Sequence, residues 1–190
     1  AGKSSALNML LERTQALTDA DTERTIGLDI ARVVLPDPQG RAPHGIVLVV
    51  YDAGGHDEYQ NMHQSFLTRD SLYGMVSDVS RPRPDEPNPE AVTREMEARL
   101  VRWAMLVASC APGATMLLIA SHADLVPNES ILQRRCARMV ECIKAELGRH
   151  RAAQQAELER LQQSRQACSV ETTLRIRQLE QALTQPMRLL

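Results

Sequence analysis

Three short apolar runs constrain this chain more than anything else in it: GIVLVVYD (45–52), SLYGMVSDV (71–79) and ATMLLIAS (114–121). None shows the strict polar–apolar alternation of a half-solvated strand, so each reads as a strand buried on both faces. Helical periodicity separates and follows them. Between Ala91 and Cys110 the apolar positions are Val92, Met96, Leu100, Trp103, Met105 and Leu106. After Pro127, Leu132, Cys136, Met139, Ile143 and Leu147 form a stripe at steps of three and four. Strands that alternate with helices are joined by crossovers, which predicts a mostly parallel α/β sheet with helices on both faces.

One strand departs from that rule. Ile26–Leu35 alternates loosely and is joined to GIVLVVYD by PDPQGRAPHG, whose prolines and glycines make a turn. A turn that short cannot hold a crossover helix, so the two strands are expected to form an antiparallel hairpin. GIVLVVYD, apolar throughout, is expected to lie centrally in its sheet. Ahead of the hairpin, residues 5–17 suit a helix, and TDADTERT (18–25) reads as a loop. RPRPDEPNPE (81–90), with four prolines, is a loop or surface insertion.

Length and charge narrow the function. A chain of 190 residues suits one domain with one core, and a net charge of −2 gives no electrostatic reason to hold nucleic acid. The five aromatics (Tyr51, Tyr59, Phe66, Tyr73, Trp103) are too few for a base-stacking platform. The longest uninterrupted apolar run, Ile46–Tyr51, is far too short to span a bilayer, and no signal peptide is visible. Cys110, Cys136, Cys142 and Cys168 are scattered, without the paired spacing of a zinc site or a disulfide framework. They read as reduced, mostly buried thiols of a cytoplasmic protein. From Gly148 onward seven arginines stand against four glutamates, and the apolar stripe fades into Gln, Glu, Arg and Ala. Residues 148–190 are therefore a polar helical arm or insertion, a solvated or partner-facing element, beyond a domain of residues 1–147.

The polar residues that carry chemistry sit beside these elements. Gly2-Lys3-Ser4 matches the end of a phosphate-binding loop, G-x-x-x-x-G-K-[ST], whose first four residues are absent. There glycine lets the backbone approach phosphate, lysine reaches the outer phosphates and the serine hydroxyl ligates Mg²⁺. A tripeptide of this kind also fits an ordinary chain end, but a periodic helix starts directly after it, as the loop requires. Asp52, at the C-terminal end of a buried strand, can hold Mg²⁺ through water, and a glycine of Ala53-Gly54-Gly55 can donate its N–H to a terminal phosphate. The same residues also fit a tight turn. Asp124 of Ser121-His122-Ala123-Asp124 can accept from the N1–H and amine of guanine, a donor pair adenine lacks. It can equally cap the following helix. Thr25 can close on a γ-phosphate and Mg²⁺, or simply begin a strand.

The order of these pieces resembles that of Ras-like GTPases: phosphate loop, threonine, D-x-G-G after the hairpin, aspartate after a later strand. The run YDAGGHDEYQNMHQSFLTRDSLYGMVSDVS (51–80) is similar, more narrowly, to the Roc domain of the ROCO family, which includes the leucine-rich-repeat kinases. Ser-His-Ala-Asp resembles the family's Thr-His-x-Asp, where most small GTPases have Asn-Lys-x-Asp. The resemblance covers residues 1–147 and implies a Ras-like P-loop fold that binds GTP and GDP with Mg²⁺. It implies that Gly2, Lys3, Ser4 and Ser5 cradle phosphates, with Ser4, Thr25 and Asp52 on the metal. Gly55 would contact the terminal phosphate, His122 pack along guanine and Asp124 read its edge. Lys3, Thr25 and His56 would serve hydrolysis, with His56 where many small GTPases keep a water-orienting glutamine.

A histidine orients water in a pH-dependent way, so slow turnover is expected. The family's first strand would precede Ala1 and its last strand would follow the final helix, and nothing after Leu183 reads as a strand. The chain is expected to be an internal part of a larger signalling protein, in which a COR-like domain follows and mediates dimerisation. Two other functions fit parts of the pattern. One is a non-hydrolysing nucleotide-binding scaffold that works through its helical arm; the other is a P-loop kinase of small substrates or an ATPase, which would have no use for Asp124.

Overall fold

The computed structural model describes residues 2–10, 28–35, 37, 39–41, 44–54, 65–163, 170–185 and 187–190. They form two compact units, residues 1–66 and 67–190.

In the first unit a short helix, α1 (Lys3–Leu10), precedes two strands, β1 (Leu28–Leu35) and β2 (Ile46–Ala53). The strands pair antiparallel from Leu28 opposite Ala53 to Leu35 opposite Ile46, the hairpin that the short turn dictates. Gly45 enters β2 with φ of +78°, and a Cβ there would lie 2.6 Å from Leu35 O, so only glycine fits that corner. The burial of β2 differs from expectation. Among the described residues it pairs with β1 alone, and Val47, Val49 and Tyr51 remain 46%, 53% and 50% exposed. An apolar strand has the capacity for two-sided burial, but the layers that bury it come from its neighbours. Among the described residues the hairpin is a sheet of its own rather than part of one larger sheet.

The second unit is built on a parallel sheet in the order β3 (Leu72–Asp78), β4 (Thr115–Ser121), β5 (Arg188–Leu189). The crossover between β3 and β4 is α2 (Pro89–Cys110). Asn88 starts it by accepting from Ala91 N through Oδ1 at 3.0 Å, and Pro89 stands in the first turn, where its missing N–H is harmless. A 3₁₀ turn (Ala123–Leu125) then leads to α3 (Glu129–Gln163). Tyr73, Met75, Met116 and Leu118 share one face of the sheet. Leu100, Ala104 and Val107 of α2 and Met139 and Ile143 of α3 cover it, with Met116 and Ile143 fully enclosed. Arg138 of α3 pairs with Glu97 of α2 at the rim of this core.

α3 runs unbroken through Gly148 for 35 residues, about 52 Å at 1.5 Å per residue. Its second half pairs with α4 (Val170–Thr184) around Leu158 and Leu179, both buried. Arg175 Nε and Nη2 donate to the two Glu157 carboxylate oxygens at 2.9 Å each, and Arg151 reaches Leu183 O. The arm is thus a helical hairpin. It returns the chain to the sheet, where β5 joins β4 in parallel register, Thr115 opposite Arg188 and Met116 opposite Leu189. This strand corrects the expectation that none follows Leu183; two residues are too few to leave a periodic signal. The cysteines also differ from expectation. Cys110 is exposed and Cys136 and Cys142 are half-buried, all three free, while Cys168 lies outside the described residues. Burial, with Glu97 adding to it, pushes the Cys142 thiol up from its ordinary value.

Candidate functional site

The described residues expected to meet phosphate and metal lie in the first unit. Gly2 has φ of +70°, a conformation that favours glycine, and its carbonyl accepts the first helical bond, from Ala6 N at 2.9 Å. The chain therefore turns into α1 at Lys3, and the amides of Lys3, Ser4 and Ser5 belong to the turn whose N–H groups have no partner within the helix. The dipole and the amides of the first turn favour an anion at this end. Lys3 forms no ion pair with a described residue. Ser4 Oγ donates to Asp52 Oδ2, which lies near the end of β2. Two residues 48 positions apart, each singled out for the same cation, thus meet side chain to side chain.

Thr25, Gly55 and His56, and with them residues 55–64 as a whole, lie outside the described residues. Tyr51 and Phe66 flank that stretch, their ring centroids 6.2 Å apart.

The residues expected to meet the base lie in the second unit, where β3 and β4 end side by side. Asp78 closes β3 opposite Ser121, which closes β4. His122 then takes a left-handed conformation, φ 58° and ψ 31°, and Ala123–Leu125 form the 3₁₀ turn that presents Asp124. The turn is held by Leu125 N and Val126 N donating to His122 O and Ala123 O, each at 3.1 Å. Asp124 is exposed, and its carboxylate makes no hydrogen bond to a described residue. The cap of α3 is Asn128, whose Oδ1 accepts from Ile131 N at 2.9 Å. Asp124 is therefore not the helix cap, which leaves its two oxygens open to a ligand.

Around His122 stand residues that sequence reading did not single out. Asp78 Oδ1 accepts from Ser80 N at 3.0 Å and Ser80 Oγ at 2.6 Å, and lies 3.5 Å from His122 Nδ1. Arg135 of α3 donates to Val79 O at 2.7 Å and Pro82 O at 3.0 Å, fastening the loop that leaves β3. The signal for Asp78 was present: like Asp52, it is an aspartate at the carboxyl end of an apolar strand, the end where open α/β sheets place ligands. Arg135, one arginine on a polar helix face, gives no such signal.

Ser4 and Asp52 offer a hydroxyl and a carboxylate together. These are hard oxygen donors of the kind Mg²⁺ takes, one or two from protein with the remainder from phosphate and water. The residues present fit that ion. No cluster of three or more His, Cys, Asp or Glu side chains suited to a metal occurs among the described residues. No helix among them is long and apolar enough to cross a membrane.

A search of curated proteins returned no match. The family model for the Ras of Complex, Roc, domain of DAPkinase matches residues 1–124. On that match the chain belongs to the Roc family of Ras-like GTPase domains, and with it to the Ras-like P-loop fold.

Proposed function

We propose that this chain binds GDP and GTP with Mg²⁺, hydrolyses GTP slowly and acts as a molecular switch within a larger multidomain signalling protein. The observation that carries the reading is the meeting of Ser4 with Asp52 at the N-terminus of α1, just after a glycine of positive φ. A helix start supplied with a lysine, a hydroxyl and a carboxylate suits the outer phosphates of a nucleotide and little else. Asp124, exposed and not used as a cap, supports guanine over adenine.

In this reading Gly2, Lys3, Ser4 and Ser5 cradle the phosphates through backbone amides, and Lys3 neutralises charge that develops on the outer ones. Ser4, Asp52 and Thr25 would hold Mg²⁺, which supplies further charge neutralisation at the phosphates when bound. Gly55 would donate its N–H to the terminal phosphate, and His56 would orient the attacking water. His122 lies along the base while Asp124 accepts from the guanine N1–H and amine. Catalysis is then positioning and electrostatics without a covalent step, on the order of 10⁻⁴ s⁻¹ for an unassisted domain of this class. The segments containing Thr25 and running from Asp52 to Gln64 would switch between ordered and relaxed states with the γ-phosphate. The GTPase domain would comprise residues 1–147, with 148–190 as its helical arm, in a cytoplasmic protein that contacts a COR-like domain or a second copy.

The test is titration of fluorescent GDP and ADP, each with Mg²⁺, on the full-length protein, with Asp124→Asn beside it. Micromolar or tighter GDP binding, without ADP binding and weakened at least tenfold in the variant, is expected. Equal binding of ADP, or of neither nucleotide, overturns the reading and favours a scaffold.

A further inference from the structure

The polar network at the ends of β3 and β4 determines what His122 can offer a ligand. Ser121 Oγ donates its one proton to Ser77 O at 3.1 Å. Toward His122 Nδ1, 3.2 Å away, the same oxygen is then an acceptor. Asp78 Oδ1 lies 3.5 Å from that ring nitrogen, and an ionised carboxylate only accepts. It is aimed there by the two bonds from Ser80, a residue only 6% exposed. Val79 N donates to Ser121 O at 3.0 Å, and Arg135 holds Val79 O and Pro82 O, so the strand ends and the loop keep one arrangement. Two acceptors thus face Nδ1. A lone pair there would be repelled by both, whereas a proton satisfies them.

We propose that Asp78 and Ser121 are positioning residues that hold neutral His122 in its Nδ1–H form, so that Nε2 presents a lone pair to the nucleotide. The ring is 40% exposed, which leaves Nε2 open to a hydroxyl or N–H donor of the ligand. A lysine at this position, as in most Ras-like domains, only donates. This chain would therefore meet the nucleotide there with the opposite hydrogen-bonding sense. The identity of the ligand rests on the guanine-nucleotide reading; the state of the ring does not.

The test is two-bond ¹H–¹⁵N correlation spectroscopy of the labelled chain at pH 8, first without nucleotide and then with GDP and Mg²⁺. His122→Gln assigns the signal. A protonated Nδ1 and an unprotonated Nε2 are expected. Asp78→Asn keeps an acceptor at Oδ1 and should retain that form. Asp78→Ala combined with Ser121→Ala should shift the ring toward Nε2–H and weaken GDP about fivefold, with the preference over ADP unchanged. Should the double variant not fold, Ser121→Ala alone is expected to populate both forms. An Nε2–H ring in the unaltered protein, or an unchanged ring in the alanine variants, overturns the proposal. The expected ring without any GDP binding supports the positioning and overturns the guanine reading instead.

Discussion

Ser4 and Asp52 meet although 48 residues separate them, and each would be a weaker candidate alone. A hydroxyl bonded to a carboxylate at a helix start is a poised pair of oxygen donors, so the loss of one should be felt chiefly when the cation is present. Ser4→Ala is expected to weaken GDP roughly tenfold or more in Mg²⁺, and hardly at all in EDTA. Titration under both conditions checks this; an equal loss in both would mean that Ser4 acts on the phosphates or on folding. At the same scale, Asp124 could be read from sequence as base reader or as helix cap. The rival was removed by Asn128, four residues on, which takes the capping role. Sequence contains both residues but not which carboxamide or carboxylate reaches the free amides; that is settled by where the 3₁₀ turn ends. The partners of His122 stayed illegible for a similar reason. Parallel register sets Asp78 opposite Ser121, and register is a property of the folded sheet rather than of either strand.

Among the elements, the helical hairpin of α3 and α4 makes two predictions. Gly148 lies inside α3, exposed, with no atom within 4 Å of a Cβ built on it. Gly148→Ala should therefore stabilise the chain by about 0.5–1 kcal/mol, through helix propensity and a less free unfolded chain, as read from urea denaturation. A loss of stability would show that the helix is not continuous there. The second concerns pH. The hydrogen bonds from Arg175 hold the Glu157 carboxyl below its ordinary value of 4.5. A carboxyl whose pKa is lower in the folded state stabilises above the unfolded pKa and loses that contribution as pH falls through the folded one. The gain is small because the pair is exposed. Stability at pH 7 minus that at pH 3.5 should be smaller in Glu157→Gln than in the unaltered protein; an identical difference would show the pair to be inert. The element types were legible because the strands are short apolar runs whereas the helices repeat apolar residues every three or four positions. The exposure of β2 was not. The run IVLVVY specifies two apolar faces, yet burial depends on what packs against them, which no local pattern contains.

For the molecule as a whole, the proposed function has a thermodynamic consequence that does not depend on any single residue. A ligand that binds the native state and not the unfolded one stabilises it by about 2.7 kcal/mol at one hundred times its dissociation constant. For chains of 150–250 residues each kcal/mol moves the melting temperature by about 2–4 °C, so GDP with Mg²⁺ should raise it by roughly 5–10 °C. ADP at the same concentration should leave it unmoved, because Asp124 would face an edge without the paired donors, and EDTA should reduce the GDP effect by removing the ion that Ser4 and Asp52 would hold. A chain of two compact units need not melt in one step, so the shift belongs to each transition separately. The candidate residues lie in both units: Lys3, Ser4 and Asp52 in one, His122 and Asp124 in the other. On the proposed function, both transitions should respond to GDP. A GDP shift confined to the transition of residues 1–66, and matched by ADP, would mean that phosphate is bound without reading the base, and the guanine switch would give way to a general phosphate site.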